Sequence, residues 1–286
     1  MALQYDFIEL YPTNHCQLHC IGCYLNQCSQ EWNEETARKI LNSGIFTRVE
    51  KEVSILGGEP TQWKYLLDFV YAIRRENNNV GISITTNAMN LLDDNYRKQF
   101  IDCCVINRVR VNVSWHNDYK IIPVLQSLKK SNVLNTLIFV PNSLLGLDEL
   151  ESVFKKLSMF CRCVWRPLIF KEPSMFAKKI TDFLLKKPKN TIQSGVRILN
   201  KKKVSNLELV GQANLNKDFY KSFDCQCGRN AVVYTDGKLY HCLSQAIEGY
   251  KPLSVTNTKE VKWRSCNYDY CCCDTFDLRS KKDDKQ

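Results

Sequence analysis

Three cysteines near the start of the chain are spaced closely enough to share one metal centre. Cys16, Cys20 and Cys23 have three and then two residues between them. Thiolates at this spacing can bind three irons of a four-iron, four-sulfur cube and leave the fourth iron without a protein ligand. A structural zinc site also uses closely spaced cysteines, but it normally has four protein ligands and favours pairs separated by two residues. The spacing therefore favours a cube with one open iron, and zinc is the alternative.

A glycine-rich segment follows the cysteines after one strand and one helix. The apolar run Ser54-Ile55-Leu56 ends in Gly57, Gly58, Glu59 and Pro60. Together with the cysteine triplet, this segment resembles the signature of the radical S-adenosylmethionine (radical SAM) enzymes. In that family SAM chelates the open iron, and an electron from the cube splits SAM to give a 5′-deoxyadenosyl radical that abstracts hydrogen. The resemblance implies that the three cysteines hold the SAM-cleaving cube and that residues 57–60 bind the methionine end of SAM.

The third predicted strand ends in a similar family segment. Thr85-Thr86-Asn87 resembles the TNG motif of radical SAM enzymes, with Ala88 in place of the usual glycine. The resemblance implies that Thr86 or Asn87 lies near SAM. The structural alternative is that Asn87 caps the helix that follows, because asparagine is a favoured residue at that position.

Three later residues are also expected to contact SAM. Ser114 stands where family members often place a contact to the SAM ribose or carboxylate, and the backbone of Val140 is expected to contact adenine, although a core valine is the alternative. Arg166 ends an apolar strand and is expected to hold the SAM carboxylate, since a guanidinium binds a carboxylate through two hydrogen bonds. His116 is interpreted either as a proton shuttle or substrate contact, or as a structural histidine.

A second group of cysteines surrounds a predicted hairpin near the end of the chain. The hairpin covers Ala231 to Cys242 and turns at Asp236-Gly237, a pair typical of a tight type I′ turn. The arrangement resembles the auxiliary-cluster segment of SPASM and shorter twitch domains, which implies one auxiliary [4Fe–4S] cluster. A structural zinc knuckle is the competing interpretation, because four thiolates suit zinc equally well. The expected ligands are Cys227, Cys242, Cys266 and one of Cys271, Cys272 and Cys273, with Cys225 as an alternative.

The remaining cysteines match no cluster spacing and are expected to be small core side chains, with donation of hydrogen to a substrate radical as the alternative for one of them. They are Cys28, Cys103, Cys104, Cys161 and Cys163.

The composition is that of a globular protein in a reducing compartment. The chain has 286 residues, of which 44% are hydrophobic and 24% charged, and no apolar run reaches transmembrane length. The first residues have no signal-peptide pattern, so we expect a cytoplasmic protein with no membrane partner. Its 15 cysteines cluster at the two ends of a large chain, which favours metal binding over a disulfide framework. The net charge of +10 comes from lysine runs typical of solvated faces and does not by itself favour nucleic-acid binding.

These residues require a scaffold that brings several strand ends together. Six strands alternate with helical patterns in the first two-thirds of the chain, which indicates parallel strands with helical crossovers. We therefore predict an α/β fold. The family resemblance implies that it is a partial (β/α)6 TIM barrel over 1–190, followed over 191–286 by a small hairpin-rich auxiliary domain with a disordered basic tail. A second hairpin is predicted from 196–200 and 207–210. The predicted barrel strands are Tyr5 to Leu10, Glu52 to Leu56, Val80 to Thr86, Arg108 to Ser114, Asn135 to Val140 and Arg162 to Ile169.

The leading functional hypothesis is a radical SAM enzyme that modifies a peptide or protein. The alternative is a small-molecule dehydrogenase acting on a sugar or aminocyclitol. Modification of nucleic acid and a non-catalytic zinc-binding module rank lower. The resemblance further implies an electron donor such as flavodoxin or ferredoxin, and a separate leader-peptide-binding protein, because the first strand begins by Tyr5.

Overall fold

The structure is a computed structural model. It describes residues 4–20, 23, 25, 28–116, 119–140, 146–166, 175–192, 196–199, 202–205, 223–226, 230–249, 252–253, 264–265 and 277–280.

Six strand–helix units form the first part of the protein, as predicted. Local signals account for several boundaries: the Asn33 side chain accepts a hydrogen bond from the Thr36 amide at the start of the first helix, and Asp93 caps the third helix through the Tyr96 amide. The units are β1 Tyr5–Leu10, α1 Glu34–Asn42, β2 Val49–Ile55, α2 Leu66–Glu76, β3 Gly81–Thr86, α3 Asp94–Ile106, β4 Val109–Trp115, α4 Ile122–Lys130, β5 Leu134–Phe139, α5 Leu147–Ser158, β6 Cys163–Trp165 and α6 Met175–Leu185.

The six strands β1 to β6 pair in chain order, and every pairing between them is parallel. Their two faces differ in chemistry. In register across the first four strands, Ile8, Val53, Ile82 and Val109 are buried in the core that also contains the helices. The next row along the strands, on the opposite face, is polar. It consists of Glu9, Ser54, Ser83 and Arg110.

The predicted hairpin near the end of the chain is present and extends the same sheet. It consists of β10 Asn230–Val233 and β11 Leu239–Tyr240, and β10 pairs in parallel with β1. The predicted type I′ turn is wrong, because such a turn needs positive φ at both central residues. Among the described residues of this turn, positive φ occurs at Gly237 alone, at 73°. The connection is a longer loop in which the Gly237 amide donates to the Tyr234 carbonyl at 2.8 Å.

Other C-terminal segments form a five-stranded sheet. Its strands, in spatial order, are β12 Arg264–Ser265, β9 Phe223–Gln226, β13 Asp277–Ser280, β7 Val196–Leu199 and β8 Lys202–Ser205. The first strand of the second predicted hairpin is present as β7, and it pairs with 202–205. The predicted partner strand, 207–210, lies outside the described residues. The division at residue 190 stays a prediction. No helix in the described part of the chain is both long and apolar enough to cross a membrane. Helix α7 covers Leu243–Ile247.

Candidate functional site

The cysteine loop begins where β1 ends, at the carboxyl edge of the parallel sheet. Cys16, Cys20 and Cys23 are all half-buried free thiols on this loop. Burial raises the pKa of Cys16, and burial together with the two neighbouring sulfurs raises the pKa of Cys20 to about 11. The Leu18 amide donates to the Cys16 sulfur at 3.4 Å. The three thiols therefore lie on one partly desolvated loop.

The two glycines after β2 lie directly against this loop. The Gly58 amide donates to the Thr13 carbonyl and the Glu59 amide to the His15 carbonyl, each at 2.8 Å. A Cβ atom at Gly57 would lie 2.5 Å from the Thr13 carbonyl oxygen, and one at Gly58 would lie 2.2 Å from the His15 carbonyl oxygen. Real Cβ atoms essentially never approach an atom so closely. The glycines thus allow close contact between two backbone segments of the protein itself.

The Glu59 side chain is buried and accepts hydrogen bonds from four protein donors. One oxygen accepts from the Thr61 amide and hydroxyl and from the Thr86 hydroxyl at 2.6 Å, and the other accepts from the Asn87 amide at 2.7 Å. The residue is 1% exposed. Burial raises the pKa of Glu59, and the four hydrogen bonds oppose that rise. In the described structure this carboxylate fixes the end of β3 relative to the end of β2.

Asn87 joins that carboxylate to the cysteine loop. Its side-chain amide donates to the Cys16 sulfur at 3.7 Å, and its side-chain oxygen accepts from the Gln17 amide at 3.2 Å and from the Met89 backbone at 2.9 Å. The Thr86 hydroxyl is already used, since it donates to Glu59 and accepts from the Ala88 amide at 2.9 Å. Asn87 therefore contacts a candidate cluster ligand, whereas the Thr86 hydroxyl contacts only Glu59 and the Ala88 backbone among the described residues.

Ala88 adopts the backbone conformation that the usual glycine of this motif would adopt most easily. Its φ is 63°, in the left-handed region, and the residue is fully buried. This conformation costs a non-glycine residue about 1–2 kcal/mol. The left-handed backbone that a glycine favours is thus present here with an alanine.

His116 lies against the second cysteine. Its Nδ1 atom is 3.3 Å from the Cys20 sulfur. Burial, together with the positive charge of Arg166, lowers the pKa of His116 to about 4. The imidazole is therefore neutral at neutral pH, and the tautomer with the proton on Nδ1 donates to a thiolate at Cys20. Arg166 follows β6, so the ends of β1, β4 and β6 meet here.

The other predicted site residues also lie at the carboxyl edge, without a described contact to the cysteines. Ser114 is the penultimate residue of β4, and Pro60 starts the short 3₁₀ helix Pro60–Gln62. Val140 follows β5 and is buried in a small apolar cluster with Ile138 and Val164. Their expected SAM contacts stay predictions.

The second cysteine group is described only in part. Cys242 is buried and precedes α7. The backbone of Cys225 lies in β9, paired with Arg264. The other predicted ligands, Cys227, Cys266, Cys271, Cys272 and Cys273, lie outside the described residues.

Sequence reasoning missed two polar residues of the cysteine loop. The Asn14 side chain is 2% exposed and donates to the Tyr234 hydroxyl at 2.9 Å. The side-chain oxygens of Asn14 and Gln17 are buried and have no hydrogen-bond partner among the described residues. Their position beside the first cysteine could have marked both amides as candidates. Their contacts could not be predicted, because the partners are 70 or more residues away in the sequence.

The donor set suits a cluster that several irons share. Within the described ranges, no group of three His, Cys, Asp or Glu side chains converges on a point where a single metal ion would sit. Thiolates that bind different irons of one cube do not need to converge in that way. Three free thiols on one loop, with N–H donors directed at sulfur and two orphaned buried acceptors beside them, fit a cube and a polar ligand.

Residues 8–132 match the family described as the 4Fe-4S single cluster domain. No curated protein sequence matches the chain. Among solved structures, native anSMEcpe with bound AdoMet and the Cp18Cys peptide is 15% identical, with a TM-score of 0.54, over 88% of this chain and 77% of that chain. A hexahistidine-tagged form of anSMEcpe with bound AdoMet is 18% identical, with a TM-score of 0.56, over 88% and 78% of the two chains. Streptococcus suis SuiB bound to its precursor peptide SuiA is 14% identical, with a TM-score of 0.42, over 89% and 63%.

The fold shared with anSMEcpe agrees with the predicted partial barrel. The segment that matches the 4Fe-4S single cluster domain spans the cysteine loop, Gly57 to Pro60 and Asn87.

Proposed function

We propose that this protein is a radical SAM enzyme that abstracts hydrogen from a peptide or protein side chain and so modifies it. The carrying observation is the cysteine loop, which lies inside the matched 4Fe–4S domain and is in contact with the ends of β2, β3 and β4. The peptide substrate is supported by anSMEcpe, which shares the fold and whose structure contains both AdoMet and a peptide.

In this proposal, the chain's own residues hold and tune the cluster ligands. When bound, the cluster and SAM supply the one-electron cleavage that yields a hydrogen-abstracting radical. The Leu18 amide and the Asn87 side chain donate to the Cys16 sulfur, which favours its thiolate form. His116 does the same at Cys20 without adding a charge at neutral pH. Glu59 acts indirectly, because its hydrogen bonds hold Asn87 in place.

SAM contacts follow from which groups remain available. The Thr86 hydroxyl and the Glu59 carboxylate are occupied by protein partners. The buried acceptors of Asn14 and Gln17 have no described donor, and an ammonium group is a donor of the required kind. We therefore assign the ammonium end of SAM to the neighbourhood of these amides and to the carbonyls of Gly57 and Gly58, because the carbonyls of Glu59 and Pro60 already accept from the Gln62 and Trp63 amides. Arg166 stays the predicted contact of the SAM carboxylate, since a guanidinium binds a carboxylate through two hydrogen bonds.

The auxiliary cluster is part of the proposal and rests on the hairpin. Because β10 and β11 are antiparallel, the start of β10 and the end of β11 lie at the same end of the ribbon. Cys227 precedes that end along the chain and Cys242 follows it. Cys266 and one of the cysteines at 271–273 complete the proposed ligand set, and a flavodoxin or ferredoxin is the proposed electron donor. A separate leader-binding protein is the proposed peptide-delivery partner.

A first experiment tests the radical chemistry. Anaerobically reconstituted protein with SAM and dithionite should form 5′-deoxyadenosine, and the C16A/C20A/C23A variant should form none, because the ligands of the cube are removed. The variant should keep the circular-dichroism spectrum of the native protein. Undiminished 5′-deoxyadenosine in the variant would refute the assignment.

A second experiment separates a peptide substrate from a sugar or aminocyclitol. Extract from the source cells grown in deuterated medium is divided into a macromolecular and peptide fraction and a small-molecule fraction, and each is supplied to the reconstituted protein. Deuterium should enter 5′-deoxyadenosine from the first fraction. Transfer from the small-molecule fraction alone would replace the peptide proposal with the dehydrogenase.

A further inference from the structure

A pair of cysteines lies at the end of the sheet opposite the cysteine loop. The sulfurs of Cys161 and Cys163 are 3.9 Å apart, just before and at the start of β6. The candidate cluster residues all lie at the other, carboxyl ends of the strands. Cys163 is 8% exposed and Cys161 is half-buried. Both were expected to be small core side chains, and their close approach gives them a chemistry that neither sulfur has alone.

A lysine from the neighbouring helix makes the two sulfurs unequal. Lys129, in the last turn of α4, donates to the Phe160 carbonyl and lies 4.1 Å from the centre of the Phe160 ring. This places its ammonium group beside Cys161. The hydrogen bond from Cys163 and the charge of Lys129 lower the pKa of Cys161, whereas the hydrogen bond with Cys161 and burial raise the pKa of Cys163. The outer sulfur is thus the better nucleophile, and the inner one keeps its proton.

We propose that Cys161 and Cys163 form a redox-active dithiol that is oxidised by small disulfides such as oxidised glutathione. The Cys161 thiolate attacks one sulfur of the small disulfide and releases one thiolate, leaving a mixed disulfide. Cys163 then loses its proton to solvent, attacks the Cys161 sulfur and releases the second thiolate. Two cysteine thiols are oxidised to one disulfide, and one small disulfide is reduced to two thiols.

The local backbone allows the disulfide between Cys161 and Cys163 to form with little disturbance of the sheet. Cys163 belongs to β6 and pairs with Leu137, whereas Cys161 lies outside the strand. The sulfurs must approach from 3.9 Å to about 2.05 Å. The residue outside the strand can supply that movement, so β6 keeps its pairing. A disulfide formed between residues so close in sequence is expected to be reduced readily.

The sequence provides a direct assay. Trypsin cleaves after Lys156, Arg162 and Lys171 but not after Arg166, which precedes proline. The two cysteines therefore fall in separate peptides, 157–162 and 163–171. Protein treated anaerobically with oxidised glutathione, alkylated with iodoacetamide and digested without reductant should yield these peptides joined and lighter by two hydrogens. Dithiothreitol should separate them. Two separately alkylated peptides after treatment, or a glutathione adduct that persists on Cys161, would refute the proposal.

Variants test the roles of the two sulfurs and the lysine. C163S should stop at the glutathione adduct on Cys161, because no second thiol is available. K129M should slow alkylation of Cys161 by up to about tenfold at neutral pH, the effect of one pKa unit on a thiolate fraction. K130M is the matched control, since it removes the same charge from the adjacent position. Equal slowing in both variants would contradict the role of Lys129. Because the readout is peptide mass, the result is independent of the radical activity.

Discussion

At the scale of single residues, the structure changes the explanation of the glycine-rich segment. The pattern suggests that Gly57 and Gly58 leave room for a ligand, but the atoms that a Cβ would meet belong to Thr13, Asn14 and His15. The backbone of the cysteine loop therefore packs directly against these glycines. Any side chain added there acts first on the position of the cysteines.

G58A should consequently reduce the amount of iron that the protein retains. The added Cβ would lie 2.2 Å from the His15 carbonyl oxygen, so the cysteine loop must move. Iron per chain after anaerobic reconstitution should fall, together with the absorbance of the cluster. G146A is the matched control, because nothing lies within 4 Å of a Cβ at that position. Normal iron content with weakened SAM binding would show that the glycine acts on the ligand.

Glu59 gives a second prediction at this scale. In E59Q an amide NH₂ replaces one oxygen, and either orientation directs it at an N–H or O–H donor that the carboxylate now accepts. A buried donor left without an acceptor costs about 1–3 kcal/mol. The free energy of unfolding of the SAM-free protein in urea should therefore fall by about this amount. If Glu59 instead acts by binding the SAM ammonium, SAM-free stability should be unchanged and only SAM affinity should fall.

At the scale of elements, the strands alternate between an apolar face and a polar one. Strands buried on both faces of a parallel sheet are usually apolar throughout. Here the Glu52 carboxylate accepts from the hydroxyls of Ser54 and Ser83 and from the guanidinium of Arg110 at 2.7 Å. Glu52 and its three donors form a polar network on the face of the sheet opposite the helices.

E52L should destabilise the protein by removing the shared acceptor of that network. Ser83 is 4% exposed, so its hydroxyl would lose its charged acceptor in a place that water reaches poorly. We expect a loss of about 1–3 kcal/mol in the free energy of unfolding, measured in urea. E35Q is the control, because it removes an exposed ion pair with Lys39, and solvent-exposed ion pairs contribute little to stability. An equal effect in the two variants would mean that the network contributes nothing.

The elements that the sequence predicts are those with local signals. Helix α1, Glu34–Asn42, has such signals, because the Asn33 side chain caps it and its apolar residues repeat at helical spacing. The convergence of the cysteine loop with Asn87 follows from parallel strand order. The parallel pairing of β10 with β1 depends on contacts more than 200 residues apart, which local periodicity does not encode. The orientation of Glu59 toward Thr86 and Asn87 is also not encoded by local periodicity, because these partners are 27 and 28 residues away.

At the scale of the whole molecule, the hairpin of β10 and β11 meets the segment that carries the cysteine loop. The Trp32 indole donates to the Tyr234 carbonyl at 2.6 Å, and the Tyr11 amide donates to the Val233 carbonyl at 2.9 Å. Asn14, two residues before the first cysteine, donates to the Tyr234 hydroxyl. The C-terminal hairpin therefore helps to hold the loop that carries the candidate cluster. Disturbing the hairpin should affect the cysteines at a distance.

The contact between Gly237 and Thr36 tests this coupling. A Cβ at Gly237 would lie 2.6 Å from the Thr36 Cγ2 atom, and φ there is 73°. G237A should thus lower the free energy of unfolding through two separate terms, a steric one and a backbone one of about 1–2 kcal/mol. T36S removes the Cγ2 atom and keeps the helix, so G237A/T36S should recover the steric term alone. Urea unfolding of the four proteins gives the coupling energy, and iron per chain should follow the same order. Strict additivity of the two substitutions would show that the hairpin and α1 are not in contact in solution. Full recovery of stability in the double variant would show that the left-handed backbone at residue 237 has no measurable cost.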